Sequence, residues 1–219
     1  MSYGVQVELE GPYALFSRPE FKVERMSYDV ITPSAARGML EAIYWHPGMK
    51  WKIDRIHVMN EIRFADIRRN EVGAKASAQL ARTAITSGAP FYLATPENIQ
   101  QRSSLLLRDV HYVIDAHFIM TDQAAPEDNE GKFQDIIRRR LKRGQCYTQP
   151  YFGCREFPAS FRLWEGGAVP SFYGETEEKD LGFMLYDFDY SDPQNIMPQF
   201  FRAVMHRGTV EVGDCEVWR

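Results

Sequence analysis

The chain has 219 residues and a net charge of -4, with 44% hydrophobic, 26% charged and 13% aromatic residues. That composition supplies a core and excludes a disordered chain, and no run of about 18 apolar residues reaches the length of a membrane helix. A pI of about 5.8 excludes a whole-surface nucleic-acid binder, whose domains often exceed a pI of about 9, but leaves room for a local basic groove.

The opening residues, MSYGVQVELEGPYALF, lack the basic and apolar segments of a secretory signal. Val5, Val7 and Leu9 alternate with Gln6, Glu8 and Glu10, which predicts a half-buried strand that Gly11-Pro12 should end. Tyr13 to Ile31 has no period and is expected to be a long loop or irregular hairpin. Thr32-Pro33 opens a helix, with a capping hydroxyl and a proline at the first helical position. Ala36, Met39, Leu40 and Ile43 form its apolar stripe. Gly38 inside it predicts close approach of another backbone. Tyr44 and Trp45 fall in its last turn, before His46-Pro47-Gly48.

Trp51 to Ile67 predicts two strands or a bulge, because Ile53 breaks the parity of Ile56, Val58, Ile62 and Phe64. Residues 73–90 are small and polar, the texture of a mobile insertion, and Phe91 to Ala94 suggests a short strand. Leu105 to Met120 predicts a long strand, with Val110, Tyr112, Ile114, Ala116 and Phe118 on one face and His111, Val113, Asp115 and His117 on the other. Gly131 to Arg143 predicts a helix with Phe133, Ile136, Ile137 and Leu141 inward, stopped by Gly144. Strand-like stretches at 183–190 and 209–212, and a strand or short helix at 200–205, give a β-rich end. The expected fold is α+β: a ferredoxin-like β-α-β-β-α-β domain over residues 1–145 and a β-sheet extension over 146–219.

Three groups of residues are able to carry chemistry. His111, Asp115 and His117 at even spacings on one strand suit acid–base work, a metal, or simply a solvent-facing sheet. Tyr44, Trp45 and His46 either cover the core at a helix end or aim a phenol or imidazole at a phosphate. Arg138, Arg139, Arg140, Lys142 and Arg143 crowd one helix end, with Arg68, Arg69, Arg102 and Arg108 elsewhere. Such a patch suits phosphates, or a solvated helix C-terminus; Tyr147, Tyr151 and Phe152 nearby offer stacking surfaces. Acidic residues gather late, at Glu175, Glu177, Glu178, Asp180, Asp187, Asp189 and Asp192, and that region is expected to face away from nucleic acid. The three cysteines, Cys146, Cys154 and Cys215, have no CxxC spacing; idle thiols in a reducing cytoplasm are expected. No P-loop, GxGxxG, HExxH or GxSxG is present.

Five strings look like one family: VELEGPYALFSRPEFKVERMSYDVITPSAARGMLEAIYW at 7–45, WKIDRIHVMNEIRF at 51–64, RRNEV at 68–72, LLLRDVHYVIDAHF at 105–118 and GCREFPASF at 153–161. Together they resemble the type I-C variant of the fifth CRISPR-associated (Cas) protein family, within the RAMP superfamily of RNA-binding proteins. The resemblance implies a ferredoxin-like core and an enzyme that binds a hairpin in CRISPR repeat RNA. That enzyme cuts at the 3′ base of the hairpin and stays on the 5′ handle of the guide RNA in the surveillance complex, beside its backbone and large subunits. It implies metal-independent attack by the substrate's own 2′-hydroxyl, without a cofactor. Tyr44 matches the family's tyrosine and His117 its histidine, with His111 a second candidate on the same strand. The family's lysine beside that histidine is missing: Asp115 and Ala116 stand there, so Arg108, Arg102 or the basic helix is expected to supply the cation. The alternatives are a handle-binding subunit that does not cut, and a metal-dependent phosphoesterase on the His111, Asp115, His117 face. Weak DNA binding through the basic surface is a secondary expectation.

Overall fold

The computed structural model describes residues 3–21, 23–174 and 177–219. The elements in chain order are β1 (Gly4–Ala14), β2 (Arg25–Met26), α1 (Pro33–Ile43), β3 (Met49–Val58), β4 (Arg63–Val72), α2 (Ala78–Ser87), a 3-10 turn (Thr95–Asn98) and β5 (Ile99–Met120). They continue with α3 (Glu130–Arg143), β6 (Ser160–Leu163), β7 (Glu178–Asp189), β8 (Met197–His206) and β9 (Thr209–Glu211). The sheet runs β6-β1-β5-β3-β9-β8-β7. Its first four strands, with α1 and α3 as the crossovers, have the antiparallel ferredoxin-like order. The expected division at residue 145 falls before β6, the strand that completes this core sheet against β1.

Local chemistry explains the helices. Thr32 Oγ1 accepts from the Ala35 N–H at 3.2 Å, and Pro33 sits where a missing N–H costs nothing. Ala36, Met39, Leu40 and Ile43 are buried. In α3, Asn129 caps the Lys132 N–H, and Phe133, Ile137 and Leu141 face inward at four-residue spacing. Gly144 takes the left-handed φ of 61° that closes the helix, where a glycine avoids the steric cost. A Cβ on Gly38 would meet nothing within 4 Å, so no backbone packs against it and the expected close approach is absent.

Several strands differ from expectation for nonlocal reasons. β1 runs through Gly11-Pro12 because β6 pairs with it only over Val7–Glu10. Past that point β1 is an edge, where proline removes no ladder bond. Tyr13 to Ile31 is less irregular than expected, since β2 adds to β5 in parallel. Trp51 to Ile67 divides into β3 and β4, with the register shift at Ile53/Arg55 placing Asp54 in a bulge. The 73–90 stretch contains α2, capped by Ser77 and ended by Gly88, and none of its residues is buried. Residues 91–94 form no strand: β4 pairs with β5 only from Ile99 onward, so that segment has no ladder to join. β4 and the first half of β5 make a two-stranded arm, and β5 passes into the core at Asp109, whose φ is 54°.

Residues 200–205 lie within a strand, β8, which pairs with β7 and, through β9, extends the core sheet from β3. Four of the late acidic residues meet a basic partner within the chain. Asp187 forks onto Arg37 with two bonds of 2.8 Å. Asp180 bonds Arg202, Asp189 bonds Arg219 and Glu178 meets His206. Glu175 lies outside the described residues.

Candidate functional site

β5 separates two groups of side chains by its alternation. Tyr112, Ile114, Ala116 and Phe118 pack into the core under α1 and α3, while His111, Asp115 and His117 point to the face away from the helices. The three polar residues do not converge on one point there. His111 Nε2 meets Glu8 at 2.7 Å. Asp115 accepts from Gln6 at 2.9 Å and lies 3.2 Å from His57. His117 Nδ1 meets Asp54 at 2.8 Å. Each side chain is thus spent on its own partner, and a shared His111, Asp115, His117 centre is not formed. Among the described residues, the possible metal-ligand cluster is instead Glu8, Glu10 and His111, in which Glu8 is already bonded by Arg162. Burial raises the Asp115 carboxyl, but the adjacent His57 and the hydrogen bond from Gln6 outweigh it and leave the group below its ordinary range.

Glu8 is 3% exposed and joins three strands, with Arg162 of β6 and His111 of β5. The Arg162 bond is the main cause that holds its carboxyl low, against burial, and His111 adds to it. A depressed folded-state value gives stability that is present above the unfolded value and lost as pH falls through the folded one. The melting temperature of the wild type is therefore expected to fall more steeply than that of Glu8→Gln below the ordinary glutamate value of 4.5. Parallel thermal melts across that range check it; parallel slopes would show that Glu8 is not the linked group.

The other group lies at the end of α1. Tyr44 is the C-cap residue, with an extended backbone (φ -150°), and Trp51 Nε1–H donates to its carbonyl at 3.0 Å. Its ring packs 6.2 Å from Phe133 and lies 5.1 Å under the Arg140 guanidinium. Burial raises the phenol above the usual tyrosine value, and the Arg140 cation offsets this only in part. Tyr44 is therefore a neutral donor at neutral pH. His46 stacks on the same Phe133 ring at 4.9 Å. Trp45 is 60% exposed and Tyr147 87% exposed. The Tyr147 N–H donates to the Ala42 carbonyl at 3.0 Å, which places that ring beside the helix end.

Tyr44 and His117 lie on opposite faces of the sheet. The two residues that match the family's tyrosine and histidine are not brought together: Tyr44 packs through Phe133 onto the Phe118 side of β5, and His117, the preceding residue, points the other way. The sequence neighbours of His117 hid a cation: Lys52 is its direct cross-strand partner on β3, a pairing no local spacing reveals.

The basic residues divide as sharply. Arg138 and Lys142 both meet Glu165, at 3.5 and 2.8 Å. Arg140 turns inward, where Nη1 donates to the Ile43 carbonyl at 2.7 Å. Arg139 and Arg143 remain exposed. On the arm, Arg69 is held by Glu156 and Glu71, and Arg102 opposes it in register and bonds Gln100. Arg68 is exposed, and Arg108 lies 3.6 Å from Asp109. Among the described residues no helix is long and apolar enough to cross a membrane.

A ferredoxin-like core extended by an antiparallel sheet, with exposed aromatics and arginines at one helix end, defines an α+β protein with a surface suited to a phosphate-bearing ligand. The chain belongs to the CRISPR-associated protein family Cas5, whose Cas5d model matches residues 4–213. It is 45% identical over 217 residues to the CRISPR pre-crRNA endoribonuclease Cas5d of Mannheimia succiniciproducens, covering 97% of this chain and 96% of that one. It is 39% identical over 225 residues to the protein of the same name from Thermus thermophilus, covering 95% and 90%. The fold matches a crystal structure of a CRISPR-associated protein with a TM-score of 0.71 at 23% identity, over 100% of this chain and 97% of the other. A protein of Streptococcus mutans described as functionally uncharacterized matches with a TM-score of 0.70 at 22% identity, over 100% and 98%.

Proposed function

We propose that the chain is a pre-crRNA endoribonuclease that cuts CRISPR repeat RNA at the 3′ base of its hairpin and remains on the 5′ handle. The observation that carries this is the near full-length similarity to two relatives that bear that name. The reaction is attack by the RNA's own 2′-hydroxyl, which leaves a 2′,3′-cyclic phosphate and a 5′-hydroxyl. The protein's work is to hold that hydroxyl in line with the scissile phosphate and to stabilise the charge that develops.

The end of α1 suits this work. Tyr44 donates a hydrogen bond, and Arg140 sets a fixed cation against it. Trp45 and Tyr147 offer stacking faces for unpaired bases. Arg139, Arg143, Arg68, Arg102 and Arg108 supply backbone contacts along the stem and handle, which are read by shape. His111 locks β1, β5 and β6 through Glu8. A second reading makes His117 the general acid or base, favoured by Lys52 directly across the strand. The RNA, the other subunits of the type I-C surveillance complex and, more weakly, DNA are the partners of this reading, and the cytoplasm its place.

The test is incubation of the purified chain with cognate repeat RNA in excess EDTA, with analysis of the product ends. A single cut with a cyclic phosphate is expected. Tight binding without a cut would leave a handle-binding subunit, and cutting abolished by EDTA would return the metal-dependent reading.

A further inference from the structure

We propose that His46, one turn beyond the end of α1, is the general acid that protonates the leaving 5′-oxygen. The proposal rests on the reading of the chain as an RNA-cutting enzyme and adds a residue to that site. His46 has three features that such an acid needs. The first is position: its ring and that of Tyr44 lie against the same Phe133 side chain, at 4.9 and 6.2 Å. The two side chains thus share one wall, Phe133, whereas His117 points to the other face of the sheet.

The second feature is orientation. The Gly48 N–H donates to His46 Nδ1 at 3.0 Å, which fixes the neutral ring with its proton on Nε2. The Asp128 carboxylate lies 3.7 Å from the same Nδ1. Nδ1 thus accepts from the Gly48 amide in the neutral ring, and the Asp128 carboxylate is within reach of the charge when the ring is protonated. Nε2 carries a proton in both states and has no hydrogen-bond partner among the described residues. One nitrogen is held by a backbone amide with a carboxylate beside it, and the other is left to react.

The third feature is access. The His46 side chain is 34% exposed, while its Asp128 partner is 2% exposed and bonded by Lys132 at 2.8 Å. The charged and titratable groups around the ring are Asp128, from the turn before α3, Lys132, from its first turn, and Tyr44, from the end of α1. Lys132 is 43% exposed and adds a cation at the mouth of the site.

The step balances simply. The 2′-oxygen gives its proton to solvent water as its bond to phosphorus forms. The bond from phosphorus to the 5′-oxygen breaks, and the protonated His46 ring gives its Nε2 proton to that oxygen, keeping the Nδ1 proton on the side of Asp128 until solvent restores the resting form. Tyr44 keeps its own proton and donates a hydrogen bond throughout.

The experiment compares wild type, His46→Ala and His117→Ala on two repeat RNAs in single-turnover conditions. One is ordinary RNA; the other carries sulfur in place of the bridging 5′-oxygen at the cut. A thiolate leaves without protonation, so loss of the acid should not matter there. We expect His46→Ala to cut ordinary RNA roughly 10²–10⁴-fold more slowly, the usual range for a positioned acid, to bind it as wild type does, and to cut the sulfur substrate near the wild-type rate. Near wild-type cutting of ordinary RNA by His46→Ala would overturn the proposal. So would an equal loss on both substrates, which would mean that His46 only supports the fold. Rescue by sulfur of His117→Ala instead would move the role to His117. Failure of the wild type to cut either RNA would instead refute the reading of the chain as a nuclease.

Discussion

Phe133→Ala will cost about 3–5 kcal/mol of stability, the range for deleting a fully buried aromatic ring. Phe133 is 0% exposed and sits where α3 meets both the sheet and the end of α1. Its ring lies 6.2 Å from Phe118 on β5, 6.2 Å from Tyr44 and 4.9 Å from His46. Ile137 and Leu141 continue the same inward stripe of α3, so the helix keeps part of its anchorage. The cavity then opens directly behind Tyr44 and His46, and both rings gain room to leave their positions. For a domain of this size each kcal/mol lowers the melting temperature by roughly 2–4 °C. Denaturant and thermal unfolding check the stability, and cutting assayed well below the melting point checks the site. A loss below about 1 kcal/mol would mean that neighbours collapse into the space and that Phe133 is not the common support of the two rings.

What the sequence shows of the fold is what local periodicity encodes. The stripes of α1 and α3, the Thr32 and Gly144 boundaries and the parity of β5 are all legible, and together they lead to the ferredoxin-like order. α2 is not, because it buries nothing; without an apolar face to read, only the Ser77 cap and Gly88 mark it. The passage of β1 through Pro12 depends on where β6 stops, which lies about 150 residues along the chain. The site follows the same division. Tyr44 at a helix end and the histidines on one strand face are visible in spacing. Their partners are not: Glu8, Asp54, His57 and Lys52 reach β5 only through strand register. The basic helix reads as one patch, yet Glu165 meets two of its members and Arg140 turns inward onto the end of α1. A run of like charges in sequence therefore overstates the cation surface, because only the fold shows which residues have met an anion.

Arg140→Ala should separate cutting from binding more cleanly than any change to the exposed arginines. The guanidinium does two things at once. Nη1 donates to the Ile43 carbonyl, one of the last carbonyls of α1, which have no partner inside the helix. Its face lies 5.1 Å from the centre of the Tyr44 ring, a cation–π contact in a partly desolvated place. Removing it frees the helix end, lets the phenol tilt and takes away the cation that offsets the effect of burial on Tyr44. Cutting should fall roughly 10²–10³-fold, as when one preorganised group facing the developing charge is lost. Affinity for the repeat should fall less than about tenfold, since Arg139 and Arg143 still face solvent and contribute separately to counterion release. Arg140→Lys should recover little, because an ammonium has neither the planar face for Tyr44 nor the fork for the carbonyl. Single-turnover rates and binding isotherms on the same RNA, at two salt concentrations, distinguish the outcomes. If rate and affinity fall together and the salt dependence of binding weakens, Arg140 is one more backbone contact and the end of α1 is not where the RNA is cut.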